Sequence, residues 1–210
     1  LGDFEKHRKT IEEDHVYQTA VLLESPEQLA SLDGVILSGV DPIAMLASLD
    51  ASGLFEPLRE FARERPVFGT GGGAVLVAHE AVRLQIRTLD LVDVTMECET
   101  DAAQSEPDFV HVNHTLYQDT DDAGGIHAAF LRSPRIVRAG SGTETLAMFF
   151  RGDAEFRKRT DPLMVAQGMH MAATFHPQLG GDWRCFYRFS EKVRDNYWRL
   201  RMASQRSPGV

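Results

Sequence analysis

Pro66-Val-Phe-Gly-Thr-Gly-Gly-Gly-Ala74 runs an apolar strand into a glycine-flanked turn and the first residue of a helix. That order is the signature of a nucleophile elbow, in which small residues let one central residue sit on a strained turn above a sheet, with helix N–H groups facing the substrate. Gly69 and Gly73 occupy the flanks and Gly71 the centre. A glycine has no side chain, so this centre can attack nothing. The competing reading is a glycine-rich phosphate-binding turn, but the dinucleotide spacing fails and no Lys-Ser or Lys-Thr pair follows as in a P-loop.

Outward from this turn, short apolar runs alternate with segments of helical period. Val35-Ile-Leu37 stops at Ser38-Gly39 and Val67-Phe68 stops at Gly69, while Leu54, Leu58, Phe61 and Ala62 between them share one helical face. This is a strand, helix, strand unit. Ala74-Val-Leu-Val-Ala78 is expected to open a second, buried helix. Further strands are expected at Val92–Met96, Ala128–Leu131, Leu146–Phe150, Leu163–Ala166 and Met171–Phe175, with connections short enough for some antiparallel pairing. A last helix starts near Trp183 and places Phe186, Val193, Tyr197 and Leu200 on one side. The pattern predicts an α/β domain over residues 1–203 and a disordered tail over 204–210. Glu97–Asp122 and Arg151–Pro162 are expected to be surface insertions, and Arg157-Lys-Arg159, set among acidic residues, a solvated loop. Only Leu1 precedes the turn at Gly2-Asp-Phe4, where a doubly wound sheet wants an apolar strand; such a strand is expected upstream.

The 210 residues, 43% of them apolar, suffice for one sizeable core. A net charge of −9 repels phosphate backbones and anionic lipid, which argues against nucleic acid and membrane partners. Two cysteines are too few for a disulfide framework, and no apolar run approaches the ~20 residues that span a bilayer. The expected setting is cytoplasmic.

Gly2-Asp-Phe-Glu-Lys-His7, Ser25-Pro26, Leu32-Asp-Gly-Val-Ile-Leu37, Pro57-Leu-Arg-Glu-Phe61, Pro66-Val-Phe-Gly-Thr70, Phe130-Leu-Arg-Ser-Pro134 and Thr174-Phe-His-Pro-Gln178 stand in one collinear order. In that order and spacing the chain resembles the glutaminase subunits of pyridoxal 5'-phosphate synthase, which belong to the class I glutamine amidotransferases. The resemblance implies a three-layer α/β fold of flavodoxin-like type, with a mostly parallel central sheet flanked by helices. It also implies that the partner is a pyridoxal 5'-phosphate synthase subunit, and that no cofactor is needed.

In that family a cysteine at the elbow attacks the amide of glutamine, a histidine serves as its base, and a glutamate orients the imidazole. Carried over by position, the nucleophile falls on Gly71, the base on His176 and the orienting acid on Gln178. Gly39, Val40 and Gly72 fall on the oxyanion and substrate-binding positions. The family's Pro-Gly-Gly-Glu-Ser loop is replaced by Ser38-Gly-Val-Asp-Pro42, and its arginine-bearing substrate stretch by Cys98-Glu-Thr-Asp101. Departure at four places predicts a natural pseudoenzyme with weak or absent affinity for L-glutamine. The alternative is a working glutaminase that releases glutamate and ammonia for a synthase partner, which requires a cysteine at position 71 of the coding sequence.

Other candidates read more plainly. Cys98 is expected to be an unremarkable thiol and Cys185 a core residue. His111 and His114, with His127 further on, have a spacing that could hold a metal, but the expected reading is a surface histidine pair. Thr70 precedes the elbow's centre and its hydroxyl is expected to point away from it.

Overall fold

The computed structural model describes residues 4–13, 18–98, 106–116, 125–150 and 160–205. Among the described residues the main sheet has seven strands. Strand β1 (Val35–Gly39) lies at one edge beside β2 (Val67–Gly71), followed by β10 (His170–Ala173), β9 (Thr160–Gln167), β8 (Glu144–Phe150), β5 (Asp108–His114) and β6 (Ile126–Phe130). A second sheet of three joins β3 (Ala78–Val82), β4 (Val92–Glu97) and β7 (Arg135–Ala139).

Period-two patterning with both faces apolar makes β2 a central strand buried on both sides. Val67 packs into one core with the helices α2 (Pro42–Ala51), α3 (Phe55–Phe61) and α4 (Gly72–Val77). Phe68 faces the other core with α1 (Phe4–Glu13) and α6 (Arg184–Gln205). The same alternation in β10 sends Ala172 one way and Met171 and Ala173 the other. Helices on both faces of a sheet give the expected three-layer α/β architecture. Phe68 meets Phe189 at 5.5 Å and Phe186 edge-on at 6.3 Å. Truncating it to alanine would cost roughly 3–5 kcal/mol through the cavity left behind.

The expectation of a mostly parallel sheet needs correction. Parallel pairing joins β1 to β2 and β2 to β10, whereas β10–β9, β9–β8, β8–β5 and β5–β6 are all antiparallel. The parallel part carries the elbow, where a crossover helix must return the chain; the antiparallel part is built from short connections.

Other expectations also shift. The helix expected from Ala74 starts at Gly72 and ends at Val77, because Ala78-His-Glu-Ala-Val82 leaves the helix and pairs with β4. Asp108–His114 is a strand of the main sheet with Val112 buried, not part of a surface insertion. The strand Arg135–Ala139 buries only Ile136 and gave too weak an apolar signal to be foreseen. The last helix runs through Gln205, past the expected start of the tail. The Gly2-Asp3 turn, Glu99–Asp101, Arg157–Arg159 and residues 206–210 lie outside the described residues.

Candidate active site

Strand β2 delivers Gly71 to its C-terminal end, and α4 starts at the next residue. Gly71 has φ +55° and ψ −122°, a backbone conformation that L side chains rarely adopt. Its neighbours are small for a packing reason. A Cβ on Gly69 would run into the Gly73 carbonyl, and one on Gly73 into the Leu37 carbonyl of β1. The elbow is therefore complete in its backbone.

His176 follows β10 and reaches the elbow from across the strand ends. Its own N–H donates to the Ala129 carbonyl of β6 at 2.8 Å, while Gly71 N–H donates to the Phe175 carbonyl at 3.2 Å. The two residues are thus tied by adjacent backbone bonds. A Cβ built on Gly71 would stand 2.5 Å from His176 Nε2 and closer still to Cε1. The imidazole occupies the volume that a side chain at position 71 would need. His176 is 2% exposed. Burial lowers its pKa, a hydrogen bond to the Leu131 backbone opposes that, and nearby His7 lowers it further. Burial thus favours the neutral ring, and Nε2 makes no hydrogen bond among the described residues.

The Gln178 amide Nε2 lies 3.5 Å from His176 Nδ1 and 3.5 Å from Ser38 Oγ, the outer limit of hydrogen-bond range. Its Oε1 is buried without a partner among the described residues. An amide at this place can orient the ring but carries no charge with which to stabilise an imidazolium. Ser38 and His7 belong to this neighbourhood although neither was assigned a role from the sequence. His7 lies in a motif quoted for the resemblance, and its burial on α1 against Phe186 at 5.6 Å could have been read from the helical period.

The Gly39–Val40 peptide lies beside the elbow with its carbonyl turned inward. The Gly39 carbonyl oxygen is 2.8 Å from the Cβ point of Gly71 and 3.0 Å from that of Gly72. A trans peptide sets its N–H opposite its C=O, so Val40 N–H is directed away from the elbow. At this peptide the elbow is faced by an acceptor, the Gly39 carbonyl, rather than by a donor.

Burial, and then the charge of Glu97, pushes the Cys98 thiol up to about 11. Cys185 is fully buried and its thiol is raised well above the ordinary range, first by burial. Thr70 is fully buried and its hydroxyl has no hydrogen-bond partner among the described residues. His111 and His114, three apart on a strand, cannot share a face; His114 Nε2 instead meets Arg184 Nη1 at 3.0 Å. His111 lies opposite His127.

Residues 1–195 match the profile of the family described as the SNO glutamine amidotransferase family. The chain belongs to that family. It is 30% identical over 194 residues to the pyridoxal 5'-phosphate synthase subunit PdxT of Koribacter versatilis, covering 92% of each chain. It is 33% identical over 178 residues to the PdxT subunit of Geobacillus kaustophilus, covering 84% of this chain and 83% of that one. A solved structure described as a glutamine amidotransferase superimposes with a TM-score of 0.74 at 26% identity, covering 91% of this chain and 94% of that one. A putative GMP synthase protein from Thermoplasma acidophilum, at 14% identity and a TM-score of 0.54 over 96% of this chain and 93% of its own, shares the fold.

Proposed function

We propose that this chain is a catalytically impaired homologue of the glutaminase subunit of pyridoxal 5'-phosphate synthase, which keeps the fold and a synthase partner but hydrolyses little or no glutamine. The observation that carries the reading is Gly71: the elbow has its backbone, its flanking glycines and its histidine, and no nucleophilic atom. The inward Gly39 carbonyl and the neutral Gln178 support the same reading, because each removes a part that acyl transfer needs besides the thiol.

The roles carried over from the family are nucleophile position for Gly71, base position for His176, acid position for Gln178, and oxyanion positions for Gly39, Val40 and Gly72. The working-glutaminase alternative draws support from the elbow's strained φ, which a packing glycine does not require. Two experiments test the proposal together. Gel filtration with a synthase subunit from the same source should give a complex, and calorimetry should find weak or no binding of L-glutamine to it. Tight glutamine binding, or failure to associate, would remove the corresponding half of the reading.

A further inference from the structure

We propose that His111 and His127 form a two-histidine site for one borderline divalent transition-metal ion, of the zinc, nickel or copper class, with water completing the coordination. The two residues are directly opposite in the antiparallel pairing of β5 with β6. Opposite residues of such a pair project from the same face with Cβ atoms about 4.5–5.5 Å apart. Here the imidazole rings are stacked, with centroids 5.0 Å apart and planes inclined by 23°.

Two imidazoles that bind one ion at ~2.0–2.1 Å each need donor nitrogens roughly 3 Å apart. The backbone already supplies the convergence; rotation of the rings about their Cβ–Cγ bonds supplies the rest. Phe109, two residues before His111 on the same face of β5, packs on the His127 ring at 5.0 Å and limits where that ring can swing. His111 is exposed and His127 half-buried, so an ion and its waters can enter from solvent. The chain's net charge of −9 favours cations.

Among the described residues no group of three or more His, Cys, Asp or Glu converges on a metal. Among the described residues the site is therefore open, with two protein ligands, and imidazole nitrogen selects zinc, nickel and copper over magnesium or calcium. This departs from the pairing of His111 with His114 that their spacing in the sequence suggests. Strand periodicity puts those two on opposite faces and gives His111 a partner from the next strand.

An ion held here would clamp β5 to β6, the strand whose Ala129 carbonyl accepts the His176 N–H. Metal that binds only the folded chain raises its melting temperature by mass action. The test uses the full chain without a histidine tag. Titration with zinc and with nickel should show saturable binding of one equivalent. Copper(II) should give an electron paramagnetic resonance signal with coupling to two nitrogens. His111→Ala and His127→Ala should each weaken binding by more than about tenfold, the loss expected when a chelate becomes a single ligand. His114→Ala, on the other face, should leave it unchanged. No saturable binding, binding undiminished in both variants, or loss in only one of them would overturn the proposal.

Discussion

His176 Nε2 stands 2.5 Å from the point where a Cβ on Gly71 would be, so the imidazole fills the space that a side chain at position 71 would need. Side-chain atoms cannot approach that closely without one of them moving. Any residue larger than glycine at position 71 must displace the imidazole, and it must also accept φ +55°.

Gly71→Ala should therefore destabilise the fold by about 1–3 kcal/mol, the scale of a residue held in a sparsely populated backbone region. Urea denaturation would show it as a lower midpoint with an unchanged slope. A variant as stable as the parent would mean that His176 moves away freely.

Gly71→Cys alone should leave glutamine hydrolysis far below that of a working family member. Losing the nucleophile costs about a million-fold in a triad enzyme and losing the orienting acid about ten-thousand-fold, and the effects are not additive because the residues act as a unit. Adding Gln178→Glu should raise ammonia release only modestly, since the Gly39 carbonyl still faces the elbow. Grafting a family substrate loop onto Cys98–Asp101 should be needed for more. Ammonia release by the single, double and grafted variants, with partner present, gives the ranking.

His170 sets a pH dependence of stability. Its Nδ1 accepts the Val67 N–H at 3.2 Å, and burial lowers its pKa from 6.5 to about 4. The folded state thus binds the proton less readily than the unfolded state. The contribution is fully present above pH 6.5 and is lost as pH falls from 6.5 towards 4, by at most about 3 kcal/mol. His176 acts in the same direction. The urea midpoint should fall across this window, and His170→Gln should flatten the fall.

Cys98 should be unreactive towards a disulfide reagent at pH 8, because its thiol is pushed up to about 11 and the thiolate is scarce. Cys185, wholly buried, should behave alike. Both should react at once in denaturant. Fast labelling of the native chain would contradict the burial that this account assigns to them.

The elbow was legible in the sequence because glycine at three close positions has few other uses, and the structure gives Gly69 and Gly73 the contacts that exclude a Cβ. The strand Val67–Gly71 was legible for a related reason, since a strand buried on both faces is apolar throughout. Edge and antiparallel strands were harder. Asp108–His114 alternates Val110 and Val112 with polar residues, a period-two signal hidden by the acidic residues on either side. No local signal shows which way the Gly39–Val40 peptide faces, or that His111 pairs with His127, because both are set by the register between strands rather than within one.

The central claim is that the chain lacks glutaminase activity because its elbow has no nucleophile. Steady-state ammonia release at saturating L-glutamine, from the unmodified chain with Gly71 verified by mass spectrometry and a synthase partner present, tests it most directly. The account predicts release no faster than that of the isolated synthase partner. Release at the rate of a cysteine-bearing family glutaminase would contradict it.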